Sequence, residues 1–205
     1  MPEFKTHNLW PIPVYEAEIP VKEEWKKYIR NLNYERTWIG NSDISTDRYV
    51  LNEMPDLKLE IENHCERFVR KYLYIKSNAQ FYLQNSWTNI HSPYESSQLH
   101  YHGNSLLSGV YYPILPKDSG NIQFCKSHIY TNLFHPSIRF EFDELFNVNS
   151  DNYKLELKEG TVIIFPSHLE HSVEKNWSTE RRYSLAFNFY VRGKFGKEEY
   201  DLEIK

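Results

Sequence analysis

The spacing of apolar positions changes once along this chain. Between Val21 and Leu32, Trp25, Tyr28, Ile29 and Leu32 fall at i, i+3, i+4 and i+7, which predicts an amphipathic helix. A second, longer helix is predicted to start at Pro55, a residue suited to a first helical turn. It runs through Leu57, Ile61, Cys65, Phe68, Val69 and Tyr72 to about Leu73. Pro11, Pro13 and Pro20 keep the opening twenty residues extended, and residues 33–54 are polar and irregular. From Ile75 onward the period becomes two. Strands are predicted at Ala79–His91, Leu99–Asn104, Leu107–Leu115, Gly120–Phe124, Asn152–Leu157, Gly160–Phe165, His171–Glu174 and Arg182–Val191.

No helix alternates with these strands, so a parallel α/β fold is disfavoured. The expectation is a mainly β protein, a sandwich or jelly roll with N-terminal helices packed outside. One domain over residues 1–205 is predicted, with 1–75 a mostly helical scaffold and 76–191 the jelly-roll core. The run Ser127–Ser150 contains Pro136, Asn147 and Asn149 and reads as a loop, a candidate lid over a substrate.

Composition narrows the function classes. Lys plus Arg total 24 against 28 Asp plus Glu, a net charge of −4, so no basic excess points to nucleic acid. The longest apolar stretches, such as Val162–Phe165, are too short to cross a bilayer, so no membrane partner is expected. The N-terminal segment lacks a basic-then-apolar signal layout, and two cysteines cannot form a disulfide framework. Both lead to an expectation of a cytoplasmic protein.

Nine histidines are present. In a strand, residues i and i+2 share a face, so His100 and His102 aim two imidazoles into one space. His171 opens the next strand after the Phe165–Pro166–Ser167 turn and could complete a three-point metal face with open coordination positions. His168, in the turn, is expected to be exposed or to act from behind a ligand. On the last strand Tyr183, Leu185, Phe187, Phe189 and Val191 form an apolar face expected to pack under the helices. Arg182, Ser184, Ala186, Asn188 and Tyr190 form the other face. Burying Arg182 without an anion is costly, so Arg182 with Ser184 forms a candidate carboxylate seat. Arg181 faces the opposite way. Trp87, Asn89 and His91 share a face of the strand before the histidine pair and are candidate polar contacts to the same cavity.

These residues fall in three ordered segments that resemble the iron(II)/2-oxoglutarate-dependent oxygenases, nearest to those of phages and marine bacteria. The first runs His100-Tyr101-His102-Gly103-Asn104-Ser105-Leu106-Leu107-Ser108-Gly109-Val110-Tyr111-Tyr112. The second is Phe165-Pro166-Ser167 through His171 and Val173, and the third is Arg182 to Asn188. Leu9-Trp10-Pro11-Ile12-Pro13-Val14-Tyr15 is similar too, so the resemblance spans roughly residues 9–190.

The resemblance implies a double-stranded β-helix, one Fe(II), and 2-oxoglutarate as cosubstrate, with a small-molecule cosubstrate and an unidentified substrate as partners. It implies His100 and His171 as iron ligands, and Arg182 and Ser184 as holders of the distal carboxylate. Asn89 and Asn188 are further candidate cosubstrate contacts. One position departs from the wider superfamily: where most members carry Asp or Glu, this chain has His102, so three neutral ligands would leave the metal more positive. The expected activity is a dioxygenase, a hydroxylase releasing succinate and CO2. Two other classes remain open: a cupin-like three-histidine metalloenzyme that ignores 2-oxoglutarate, and a non-catalytic jelly-roll binding module.

Overall fold

A strand with one apolar face and one polar but buried face must be covered on both sides, and the fold provides both covers. The computed structural model describes residues 5–9, 11–37, 40–126, 141–146, 148–196 and 202–205. Twelve strands are described: β1 (Tyr15–Glu18), β2 (Tyr34–Arg36), β3 (Asp43–Ser45), β4 (Ala79–His91), β5 (Ser97–His100), β6 (Leu107–Ile114), β7 (Ile122–Cys125), β8 (Asn152–Lys154), β9 (Thr161–Pro166), β10 (His171–Val173), β11 (Arg182–Phe195) and β12 (Leu202–Ile204). Helix α1 spans Glu23–Arg30 and α2 spans Pro55–Arg67.

The strands form two antiparallel sheets. The major sheet has the order β1-β9-β6-β11-β4-β3-β2, with β12 paired to the far end of β11, and the minor sheet has the order β5-β10-β7-β8. The helices lie on the outer face of the major sheet. Trp25, Ile29, Leu57, Ile61 and Phe68 pack there against Tyr111, Leu185, Phe187 and Phe189. Each such side chain withdrawn from water contributes roughly 1.5–3 kcal/mol. A smaller cluster fills the space between the sheets, from Val110, Tyr112, Ile122, Phe124, Ile163 and Phe165. The apolar face of β11 thus supports the helices while its other face looks into the gap between sheets.

Gly109 permits that packing. A Cβ there would lie 2.3 Å from the Phe187 ring and 2.5 Å from the Ile163 carbonyl oxygen.

Several expectations are corrected. The strand predicted at Leu99–Asn104 starts earlier and ends at His100. The chain then turns, with Asn104 at a positive φ of 56°. The second helix leaves the α form at Arg67 and closes with a π turn, Phe68–Tyr72. Residues 33–54 hold β2, β3 and a 3-10 turn, Val50–Glu53. Three-residue edge strands are too short to show a period, which is why the pattern missed them. The N-terminal segment therefore contributes β1 to one edge of the major sheet, and β3 with β2 to the other, besides its helices. Of the candidate lid, 127–140 and 147 lie outside the described residues, as does Trp10 of the opening segment.

Candidate metal centre and anion seat

The minor sheet supplies two histidines from paired strands. His100 ends β5 and stands directly opposite His171, the first residue of β10. Their ring centroids are 4.3 Å apart. His102 lies beyond the end of β5, so the same-strand geometry expected for the pair does not hold as drawn. A backbone bond from the His102 N–H to the Ser167 carbonyl at 3.0 Å keeps the chain extended long enough for its ring to join the other two. One ring nitrogen from each of the three histidines lies within 4.8 Å of the others. Among the described residues this is the one such group of three or more metal-ligating side chains. His168 is exposed in its turn and outside the cluster.

The hydrogen bonds of the rings fix their tautomers. Nδ1 of His100 faces the Gln98 carbonyl at 2.8 Å, and Nδ1 of His171 faces the Leu169 carbonyl at 2.9 Å. Nδ1 of His102 faces Asn188 Oδ1 at 2.7 Å. Each Nδ1 must donate to an oxygen that only accepts, which leaves Nε2 of all three rings with a free lone pair, the form a metal requires. Burial holds all three below the ordinary histidine range. For His171 burial, reinforced by His100, pushes the pKa down to about 3. The cluster is therefore neutral at physiological pH and ready to bind a cation without first losing protons.

The three rings open onto a cavity of about 350 Å³ between the sheets. Its other wall is the polar face of β11 and the matching face of β4. Cross-strand register pairs Arg182 with His91, Ser184 with Asn89, Ala186 with Trp87 and Asn188 with Asn85, and all eight residues line the cavity. Trp87 packs beside His102 with centroids 5.5 Å apart.

Arg182 lines this cavity with 1% of its surface exposed. Its Nη1 donates to the carbonyls of Ser119 (3.2 Å) and Gly120 (3.0 Å), and its Nη2 donates to His91 Nδ1 (2.9 Å). Nε is buried without a partner. Burial pulls the guanidinium down to about 10, so it remains a cation at neutral pH. No carboxylate of the described residues pairs with it. A buried, uncompensated charge with an unused N–H is costly unless an anion arrives to meet it.

Of the remaining candidates, Ser184 is buried along the same wall, two residues from Arg182, and Asn89 is half-buried opposite it. Asn188 lines the cavity, but its amide is already occupied. Oδ1 accepts from His102 and from the Ser108 hydroxyl at 2.8 Å, and Nδ2 donates to Asn85 at 3.0 Å. Arg181 is exposed, just outside β11.

Tyr112 was not anticipated. It is buried on the cavity wall, close enough to Arg182 to interact with its charge, and burial pushes its phenol up, so it remains a neutral donor. Every residue of β6 is buried, which leaves no polar–apolar contrast to say whether Tyr111 or Tyr112 faces inward.

The sequence profile of the family described as "Putative 2OG-Fe(II) oxygenase" matches residues 85–188. The chain belongs to this family. The matched region spans β4 to β11 and therefore contains all three histidines and Arg182. No curated protein matches the oxygenase in sequence.

Solved structures share its fold. A 2OG-Fe(II) oxygenase family oxidoreductase from Burkholderia pseudomallei aligns with a TM-score of 0.56 at 15% identity, over 82% of this chain and 77% of that one. HygX from Streptomyces hygroscopicus, solved with nickel and 2-oxoglutarate bound, gives 0.59 at 11% identity, over 87% and 83%. A prolyl-4-hydroxylase from Pseudomonas putida gives 0.51 at 14% identity, over 89% and 94%. At these identities the likeness is one of fold, the jelly roll expected from the strand pattern. The donor set fits the family's metal and cosubstrate. Three neutral imidazoles can hold Fe(II), and Arg182, which lines the same cavity with its Nε unpaired, is a cation that could take an anion.

Proposed function

We propose that this oxygenase is an Fe(II)/2-oxoglutarate-dependent dioxygenase that hydroxylates a substrate C–H bond and releases succinate and CO2. The observation that carries the reading is the placement of a buried, uncompensated Arg182 and a neutral three-histidine cluster on one cavity. Bound there, Fe(II) and 2-oxoglutarate supply the oxidation: one atom of O2 enters the substrate hydroxyl, the other enters succinate, and the C1 carboxylate leaves as CO2.

The protein's part is binding, orientation and exclusion of water. His100, His102 and His171 offer Nε2 to the metal. Arg182 holds the distal carboxylate of the cosubstrate through its free Nε edge, with Ser184 and Tyr112 placed to add hydroxyl donors and Asn89 facing the same space. This fixes which end of the cosubstrate reaches the metal. Trp87, paired with Ala186 between Arg182 and Asn188, packs beside His102 on the same cavity, and the space it borders is the proposed substrate site.

Measuring succinate release tests the reading. Iron-loaded protein is given 2-oxoglutarate, O2 and pools of candidate substrates. Succinate formed in step with a substrate product 16 mass units heavier supports hydroxylation. Product formation unaffected by omitting 2-oxoglutarate would assign the centre to the three-histidine enzymes that ignore this cosubstrate.

A further inference from the structure

Strand β5 is held at both ends by the major sheet. Beyond one end, His102 bonds to Asn188; at the other, Ser97 Oγ lies 2.8 Å from His91 Nε2. His91 is almost fully buried and bonds on both ring nitrogens, and no metal or substrate role accounts for it.

Its protonation state follows from its partners. A guanidinium N–H can only donate, so His91 Nδ1 must accept from Arg182 Nη2. The ring proton is therefore on Nε2 and is given to Ser97. Burial, then the nearby cations Arg182 and Arg36, hold the ring well below the ordinary histidine range. Arg36 is itself paired to Asp43 at 3.2 Å and Glu95 at 2.5 Å, so those carboxylates are already engaged.

Where an acidic residue could have held Arg182, the fold places a neutral acceptor. Its other two protein partners are backbone carbonyls, also neutral. All three direct the guanidinium and none cancels its charge.

We infer that His91 is a positioning residue for the cosubstrate: it orients Arg182 while leaving its full positive charge to attract the distal carboxylate of 2-oxoglutarate. The inference rests on the proposed reading of Arg182 as that carboxylate's seat. Hydrogen bonding and charge separate cleanly here, because a carboxylate at position 91 would be a stronger acceptor for Arg182 and yet would neutralise it.

Calorimetric titration of 2-oxoglutarate into protein loaded with Fe(II) under anaerobic conditions tests this with His91→Gln, His91→Glu, His91→Leu and Arg182→Ala. Pyruvate, which keeps the 2-oxo acid end and lacks the distal carboxylate, is the second probe. His91→Gln keeps a neutral acceptor and is expected to stay within about threefold of wild type. His91→Leu is expected to weaken 2-oxoglutarate about tenfold and His91→Glu about a hundredfold, the range of one to two charge-assisted contacts. Pyruvate affinity and metal affinity should be unchanged in all.

A His91→Glu protein that binds 2-oxoglutarate as tightly as wild type overturns the inference, and so does equal weakening of both probes. If Arg182→Ala binds 2-oxoglutarate normally, the seat itself is misassigned, a separate failure. Gln and Glu are nearly isosteric, so their comparison decides the question even if the Leu variant does not fold.

Discussion

His102 gives its Nδ1 proton to Asn188 Oδ1 at 2.7 Å, so a candidate metal ligand on the turn after β5 is aimed by a residue of β11, in the opposite sheet. Asn188 is itself fixed by Ser108 and Asn85, and Ser108 bonds to Ser167 at 2.8 Å. Ser167 in turn bonds to Ser105 at 2.6 Å, which ties the His102 turn to the turn before His171.

Removing that support should loosen the metal. Asn188→Ala is expected to lower Fe(II) or Co(II) affinity about tenfold, within the usual range for the residue behind a ligating histidine. Asn188→Asp keeps the acceptor and should retain most of the affinity. Competition with a chelator measures both. Equal losses would mean the bond to Asn85 matters more than the bond to His102.

Loss of a ligand should be more severe. His102→Ala reduces three protein donors to two and is expected to leave the purified protein largely without iron, whereas His168→Ala should keep wild-type metal content. Elemental analysis reads both. Full occupancy in His102→Ala would remove that residue from the centre.

Arg182→Ala is expected to raise the 2-oxoglutarate dissociation constant by roughly tenfold to a hundredfold while metal affinity stays nearly intact. Arg181, exposed one residue earlier, is the matched control, and its alanine variant should bind as wild type does. The reverse result would place the functional register of β11 one residue away from that described here.

Two buried histidines, His91 and His171, and two half-buried ones, His100 and His102, give stability a definite pH dependence. His91, His100, His102 and His171 all titrate below the ordinary value of 6.5 when folded. Below that value the unfolded chain takes up protons that the native protein refuses, so the unfolded state is favoured as the pH falls. The loss should begin near pH 6.5 and continue toward about 3, the His171 value. The melting temperature of the metal-free protein should drop between pH 7 and 5 by on the order of five degrees or more. A flat profile over that interval would show that these rings are not buried as described.

The sequence pattern located the long elements well because they are amphipathic. Ala79–His91 matches β4 end to end, and the Arg182/Ser184 face of β11 lies opposite the Leu185/Phe187 face as alternation requires. Where alternation is absent, the pattern says nothing. The uniformly buried β6 hides the inward turn of Tyr112, and the three-residue strands β2 and β3 are shorter than the signal that would reveal them. The histidines were legible by type and order. That His102 reaches the cluster from a turn, steadied by Ser167 and Asn188, depends on contacts 65 and 86 residues away, which no local spacing encodes.

Binding of 2-oxoglutarate should need both halves of the cavity, the three histidines with their iron and Arg182. Anaerobic calorimetry of 2-oxoglutarate with metal-free protein, Fe(II)-loaded protein, and Fe(II)-loaded Arg182→Ala is the decisive measurement. One molecule should bind per chain when iron is present, far more weakly without iron, and far more weakly when Arg182 is lost. Iron held by the three histidines with no 2-oxoglutarate bound at millimolar concentration would contradict it.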